Sequence, residues 1–406
     1  MDFKDTPEEA AFRAKARAFL DAHARRRSPG ESRPLFDSED PSVVAEAQRW
    51  QATKQANGWA CLTWPVEYGG RGARPIEAVI WSQEESHYRL PPDLFGIGIG
   101  MLGPTLMAHG TDSQKQRYLT PMARGEEIWC QLFSEPAAGS DLAGLRTSAL
   151  RSGEDWIVNG QKIWTSGAHY CRFGMIVTRN DAGVAKHAGL TYFIVDMQSP
   201  GIEIRPIKQV NGAAGFNEVF FSDVRIPDAN RVGAVGDGWR VALTTLMNER
   251  ASLSSGHYRP SVQPLLRMAR GLELEGRPAL ESDDVRQRIA DFHVRLRGVE
   301  HCANRTLTAL SKGSTPGPEA SIGKLVMAPL GQQLASFAVD LQGLAGGALD
   351  EDFDFQRAFL GSPAMRLAGG TDEILRNILA ERVLRLPPEP RADKGMAFQD
   401  IPKGRS

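Results

Sequence analysis

The hydrophobic period of this chain changes twice. Apolar residues recur at helical spacing from residue 1 to about 125. They alternate with a period of two from about 126 to 235, and helical spacing returns from 236 to 406. Strands gathered in one block, rather than alternating with helices, argue against a doubly wound parallel sheet. The expected class is α+β: an N-terminal α-helical domain (1–125), a middle β domain (126–235) forming a small barrel or sandwich, and a C-terminal α-helical bundle (236–406).

Local signals fill in that outline. Thr6-Pro7-Glu8-Glu9 is a helix start, with Thr as cap, Pro at the first position and acids in the first turn; Phe12, Ala16 and Phe19-Leu20 then follow at helical spacing. A second helix-like run covers Pro41 to Asn57. The loop Thr63 to Gly72 is a glycine-permitted turn, and Thr111 opens a further helix. Phe95-Gly96-Ile97-Gly98-Ile99-Gly100 is compatible with a strand or with a closely packed helix. No strand precedes it and no further glycine completes a dinucleotide loop, so it reads as helix packing. Strand-like runs lie at 173–178, 190–195, 202–205 and 218–221, with turn markers at Pro200-Gly201 and Asn211-Gly212. Breaks in the last helical region fall near 276, 313–318 and 361–363. The Pro- and charge-rich tail from Pro387 is expected to be loose.

Residues 129–167 are the most informative stretch. Asn159-Gly160 lies between Trp156-Ile157-Val158 and Ile163-Trp164, a pattern that predicts a hairpin turning on the Asn-Gly pair. Before it, Ser134-Glu135-Pro136-Ala137-Ala138-Gly139-Ser140-Asp141 is a loop of small residues and hydroxyls. It is either an ordinary turn or a segment whose backbone N–H groups approach a ligand.

Charge excludes some partners. Lys and Arg number 48 against 49 Asp and Glu, a net charge of −1, which gives no electrostatic case for nucleic acid or an anionic membrane. Cys61, Cys130, Cys171 and Cys302 are scattered without a CxxC pair, so neither a disulfide framework nor a zinc site is expected, and no metal is. The first residues are amphipathic and contain acids, unlike a signal or transit peptide, and no apolar run approaches a membrane span. A cytoplasmic location is the expectation.

One acidic residue stands out. In Gly238 to Leu253, Ala242, Leu246 and Leu253 fall on one helical stripe, and Glu249 lies on the same stripe. A carboxylate there is either paired, with Arg250 or an arginine of another helix, or tuned toward neutrality as a general base for a carbon acid.

The segment Ser134 to Asp141, followed by Asn159-Gly160-Gln161-Lys162-Ile163-Trp164-Thr165-Ser166, resembles the flavin-binding core of the acyl-CoA dehydrogenase family. The likeness runs along nearly the whole chain. Pro65 to Gly72 resembles the family's Pro-x-Glu-Tyr-Gly-Gly-x-Gly loop, and Gly110 to Lys115 its Gly-Thr-x-x-Gln-Lys segment. The resemblance implies the same three-domain fold, FAD as cofactor, an acyl-CoA substrate, an electron-transfer flavoprotein as partner, and a homo-oligomer, tetramer or dimer. It further implies that the helix at Phe95 to Gly100 borders the acyl pocket.

Roles carry over by position. The resemblance implies flavin contacts for Phe133, Ser134, Gly139 and Ser140, for Trp164 and Ser166 beside the ring, for Thr371 and Glu373 near the C-terminus, and for Gln342 and Gly346 from a neighbouring subunit. It implies substrate contacts for Ser140, Arg250 and Gly370. Most members carry the catalytic Glu before a C-terminal Gly-Thr; here that position is Gly369. A branch including isovaleryl-CoA and long-chain acyl-CoA dehydrogenases instead carries it in a Glu-Arg pair on the earlier helix, and Glu249-Arg250 matches. The implied reaction is α,β-dehydrogenation to a trans-2-enoyl-CoA. Glu249 is the base, and the Gly369 N–H with a ribityl hydroxyl of FAD forms the oxyanion hole. One segment departs from the family: the Arg-x-x-Phe-Gly that reaches FAD across the subunit interface reads Leu272-Glu273-Leu274-Glu275-Gly276, leaving Arg267, Arg270 or Arg277 as substitutes. Two rival readings follow, an acyl-CoA oxidase and a non-catalytic or half-site subunit of a mixed tetramer.

Overall fold

The computed structural model describes residues 5–28, 40–254, 261–312, 317–348, 354–391 and 393–402, with only the backbone described at 250–254, 310, 311, 320 and 354. The chain forms two compact units. One comprises Met1–Arg33, Pro75–Arg89 and Leu253–Pro388, the other Pro34–Arg74, Leu90–Ser252 and Glu389–Ser406.

The first unit is helical. Helix α1 (Pro7–His23) begins with a complete capping box: Glu9 N–H donates to Thr6 Oγ1 at 3.3 Å and Thr6 N–H donates to Glu9 Oε2 at 2.9 Å. The expected stripe Phe12, Ala16, Phe19 and Leu20 is buried. Helix α3 (Pro75–Glu85) packs on α1, and its buried Glu84 accepts from Arg13 at 3.1 Å and Arg17 at 3.0 Å. Short strands β1 (Arg25–Arg26) and β2 (Tyr88–Arg89) pair beside them. The rest is α7 (Val262–Arg270), the hairpin β11–β12 (Glu273–Leu274, Arg277–Pro278), α8 (Asp283–Ser311), α9 (Ser321–Leu341), α10 (Asp354–Gly361) and α11 (Asp372–Ile378). Leu265, Ile289, Phe292, Leu330, Leu334 and Ala338 form its core.

The second unit is built on a sheet. Its strands are β3 (Trp129–Leu132), β4 (Ser148–Ser152), β5 (Asp155–Ser166), β6 (Phe173–Arg179), β7 (Leu190–Asp196), β8 (Ile202–Ile207), β9 (Phe216–Pro227) and β10 (Arg231–Val232). The order is β10-β7-β6-β4-β5-β9-β8, with β3 parallel on β6. Alternate residues of β6 and β7 enter two different cores. Met175, Val177, Tyr192 and Ile194 join α4 (Gly103–His109), α5 (Asp112–Arg124) and α6 (Gly238–Ser254) on one face; Ile176, Phe193 and Val195 meet Trp156, Val158 and Val219 on the other. Burial on both faces explains why these strands read as unbroken apolar runs. Helix α2 (Pro41–Ala56) belongs to this unit and is tied down by Gln51, which donates to Ala123 O at 2.8 Å.

The Phe95 to Gly100 run is helical as expected, and Gly98–Leu102 form a π turn leading into α4. Glycine is required just beyond: a Cβ at Gly103 would lie 2.1 Å from the indole of Trp64.

Two expectations are corrected. Asn159-Gly160 is not a hairpin turn. Strand β5 passes straight through it, and the β4–β5 turn is at Gly153, φ 65°, and Glu154. Asn159 is held across the sheet instead, donating to Asp223 Oδ1 at 3.0 Å and accepting from Asp223 N–H at 2.9 Å. Gly160 sits at a register shift opposite β9, where a Cβ would fall 2.7 Å from Thr147 Cα. Gly160→Ala is therefore expected to destabilise the protein by about 1–3 kcal/mol, the usual cost of overpacking, seen as a lowered denaturation midpoint at unchanged m-value.

The tail, expected to be loose from Pro387, is tethered at 397–399. Ala397 bridges Ala185, Phe398 N–H donates to Val184 O at 2.8 Å, and Gln399 N–H donates to Ala182 O at 2.9 Å. Composition favours a loose end, but specific backbone pairing and one aromatic contact override it.

Candidate active site

The second unit carries the loop singled out in the sequence. Strand β3 ends at Leu132, and the buried Phe133 and half-buried Ser134 follow. Glu135 and Ala138 then exchange two backbone hydrogen bonds of 3.0 Å each, so the chain reverses tightly and leaves Gly139 and Ser140 exposed. A Cβ on Gly139 would meet nothing within 4 Å, so the space beside the backbone is open.

A buried ion pair fixes this loop. Lys162 Nζ, fully buried, donates to Glu135 Oε1 at 2.8 Å and Phe133 O at 3.0 Å. The same carboxylate accepts from Arg146 N–H at 2.6 Å and Thr147 N–H at 2.9 Å. Burial alone pushes the Glu135 carboxyl up, but the Lys162 charge and these donors hold it below the usual carboxylate range. Burial holds the Lys162 ammonium below the ordinary lysine value despite its partner. Ile163 N–H donates to Ser134 O at 2.9 Å, completing the attachment of loop to strand.

Two residues later β5 breaks register again, between Lys162 and Thr165. Trp164 takes φ 59°, rare for a side chain of its size, and its indole is 55% exposed against the edge of Phe216. A left-handed bulge that aims a large aromatic ring into solvent beside a glycine-containing loop is a strained feature of the kind found at ligand sites. The buried Thr165 Oγ1 has no hydrogen-bond partner. Open backbone and an exposed indole on these linked segments suit a planar, polar ring such as a flavin.

Helix α6 is held against the same loop. Thr245 Oγ1 lies 2.9 Å from Thr105 Oγ1 and 3.0 Å from Tyr192 Oη, both buried, and the Tyr192 ring meets Phe133 edge-on at 5.8 Å. Glu249, one turn beyond Thr245, is half-buried, and Ala242 and Leu246 of its stripe pack on the core as expected. The side chains of Arg250 and Leu253 lie outside the described set, as does the whole of 255–260.

The first unit carries the C-terminal residues. Gly369 and Gly370 have φ 65° and 96°, and Thr371 caps α11, accepting from Ile374 N–H at 3.2 Å. Lys324 Nζ donates to Gly370 O at 2.6 Å and Arg366 O at 3.3 Å, which orients the glycine pair. Arg366 holds the buried Asp372 at 2.7 Å. Glu373 is exposed, its carboxyl held below the usual range first by its own backbone N–H and then by Thr371. Gln342 accepts from Gln356 at 3.2 Å, and Gly346 is buried under Val339 O. Leu272 to Gly276 forms the β11–β12 hairpin, turning on Glu275 and Gly276 at positive φ; Arg267, Arg270 and Arg277 are exposed around it. Among the described residues no cluster of three or more His, Cys, Asp or Glu could hold a metal, and all four cysteines are free thiols.

Sequence reasoning passed over Glu135 and Lys162. Their signal was present: Lys162 shares the inward parity of Trp156 and Val158 along β5, and a charge in that register needs a partner.

Residues 6–126, 130–224 and 236–384 match the N-terminal, middle and C-terminal domain descriptions of acyl-CoA dehydrogenase. The chain belongs to the acyl-CoA dehydrogenase family. Acyl-CoA dehydrogenase IpdE1 of Mycobacterium tuberculosis is 40% identical over 364 residues, 89% of this chain and 91% of that one. Acyl-CoA dehydrogenase FadE34 of the same organism is 41% identical over 330 residues, 80% of this chain and 44% of its own length. Among solved structures, "Tcur3481-Tcur3483 steroid ACAD" superposes with a TM-score of 0.79 at 26% identity, covering 96% of this chain and 100% of that one. The ChsE4-ChsE5 complex from Mycobacterium tuberculosis gives 0.75 at 27%, covering 96% and 100%. This acyl-CoA dehydrogenase is thus an oxidoreductase acting on an acyl-CoA, in a family of flavoproteins of lipid catabolism. No helix among the described residues is long and apolar enough to cross a membrane.

Proposed function

We propose that the chain is a FAD-dependent dehydrogenase that desaturates a bulky acyl-CoA, of the branched or steroid-derived class, between Cα and Cβ and passes the electrons to an electron-transfer flavoprotein. The observation that carries this reading is Glu249, a half-buried carboxylate on a helix locked to the flavin loop through Thr245, Tyr192 and Phe133. The word "steroid" in the name of a similar structure supports the substrate class.

In this reading Phe133, Ser134, Gly139, Ser140, Trp164 and Ser166 hold the flavin, with Thr371, Glu373, Gln342 and Gly346 contributing from C-terminal segments, the last two to a neighbouring copy. When bound, FAD supplies the acceptor for the β-hydrogen and its electron pair. The chain's own work is to acidify and remove the α-proton. The Gly369 N–H donates to the thioester carbonyl, stabilising negative charge that grows as the proton leaves, and Lys324, by fixing Gly370 O, keeps that backbone oriented. Glu249 takes the proton, leaving the trans-2-enoyl-CoA. Arg250, Ser140 and Gly370 position the ester.

Anaerobic titration of the purified protein with short, branched, long and steroid-side-chain acyl-CoA esters tests this. The bulky esters are expected to bleach the flavin band and the short ones to leave it. A yellow protein that every short straight-chain ester bleaches best would refute the substrate class. Oxygen uptake during turnover would replace the electron-transfer flavoprotein by oxygen as acceptor.

A second reading is favoured by one observation: glycine at 369, where most family members carry the base, together with two similar structures whose names join two different chains. The chain would then be one partner of a mixed oligomer. Purification without flavin, reversed by co-expression with a partner, would establish it.

A further inference from the structure

The C-terminal segment does more than end the chain. Arg179 is buried and donates to three backbone carbonyls, Ala143 O at 2.6 Å, Leu145 O at 3.0 Å and Lys186 O at 3.1 Å. Its guanidinium lies 3.5 Å from the centre of the Phe398 ring, and burial lowers its pKa to about 10. Phe398 thus covers a cation that ties the loop after Ser140 to the turn at Lys186. Lys186 in turn pairs with Asp141 at 3.0 Å and Asp393 at 2.5 Å. With the Ala185–Ala397 bridge, these contacts fix Asp393 and Ala397–Gln399 in place beside the sheet.

The segment closes a recess of ≈ 90 Å³ lined by Ala185, Lys186, His187, Arg391, Asp393, Lys394 and Gly395. Three cations face one carboxylate there. Lys186 is satisfied by its two aspartates, whereas Arg391 and Lys394 form no ion pair with a described residue. The His187 imidazole beside them is held below its usual pKa first by burial and then by Lys186 and Arg391, with Asp141 and Asp393 opposing. Asp141, the residue after Ser140, bonds directly to the recess lysine, so the recess adjoins the proposed ligand loop.

We propose that this recess binds the phosphate-bearing end of the coenzyme A group, with Arg391 and Lys394 of the C-terminal segment as phosphate ligands. The assignment rests on the acyl-CoA reading and adds a substrate contact from the tail. A flexible arginine and lysine on a strapped loop suit a terminal phosphomonoester, which offers charge and acceptors to several donors.

The test uses the full-length protein carrying its flavin. Binding of coenzyme A and of dephospho-coenzyme A, which lacks only the 3′-phosphate, is measured by calorimetry for the wild type and for Arg391→Ala/Lys394→Ala. The wild type is expected to prefer coenzyme A by about tenfold, and the double variant to lose that preference with flavin content and melting temperature unchanged. Equal affinity of the wild type for both compounds would overturn the proposal. So would loss of flavin in the double variant, which would assign the cations to the FAD pyrophosphate, or a preference that survives both substitutions. If inorganic phosphate protects the recess but coenzyme A does not compete with it, the recess is a free-phosphate site and the proposal falls. These readouts need no turnover, so failure here is distinct from a flavin that no ester bleaches.

Discussion

Glu249→Gln is expected to keep its flavin and fold while turnover falls by about 10²- to 10⁴-fold, the usual contribution of a positioned general base. The substitution is close to isosteric and keeps a hydrogen-bonding group, so packing around α6 survives. What it removes is the capacity to accept a proton from carbon. The effect should fall on kcat rather than on ester binding, because the proton moves only as the transition state is approached. Anaerobic stopped-flow bleaching of the flavin band, with flavin content and melting temperature measured alongside, separates chemistry from folding. Near-native bleaching in this variant would eliminate Glu249 as the base. Gly369→Glu, which restores an acid at the commoner family position, is expected not to rescue it, because position 369 takes φ 65°, a conformation that strains any side chain.

The second large effect concerns the pair beneath the flavin loop. Lys162→Met is expected to destabilise the protein by about 3–5 kcal/mol, since it leaves the Glu135 carboxylate buried without its countercharge. Phe133 O loses its donor in the same step, so the flavin loop loosens and flavin retention falls with stability. Adding Glu135→Gln removes the stranded charge and should recover part of the lost stability, and the double-mutant cycle then measures the coupling. Acid should act in the same direction. Glu135 is held below its unfolded value, so its contribution is present above the ordinary carboxylate pKa and is lost as pH falls through the lower folded value. A Lys162→Met protein as stable as the wild type would show that water or another donor replaces the ammonium.

Much of the fold was legible before any coordinates. The capping residues Thr6 and Thr111, the stripe on α1 and the strands from Phe173 to Phe221 each follow from local periodicity and turn chemistry, and the helix–strand–helix order followed from those. Asn159-Gly160 misled because its local signature is that of a turn, while the partner strands β4 and β9 were invisible to a local reading. Once both flank it, extended backbone is favoured and glycine serves close approach to Thr147 instead. The tail misled for the matching reason: Pro and charge describe its solvent side, not the single ring of Phe398 that meets Arg179.

The sequence by itself determined most of the helices and strands, though not the course of β5 at Asn159-Gly160, and it placed a carboxylate on the core-facing stripe of α6 because side-chain period is a local property. It also supplied the loop of small residues that lets a ligand approach. Only the tertiary structure decided that Lys162 lies under that loop, that Tyr192 joins Phe133 to Thr245, and that Arg391 and Lys394 line one recess with Lys186. Those pairings join residues far apart in the chain, where burial strengthens each charge and hydrogen bond, and no local pattern encodes which distant partner will meet it.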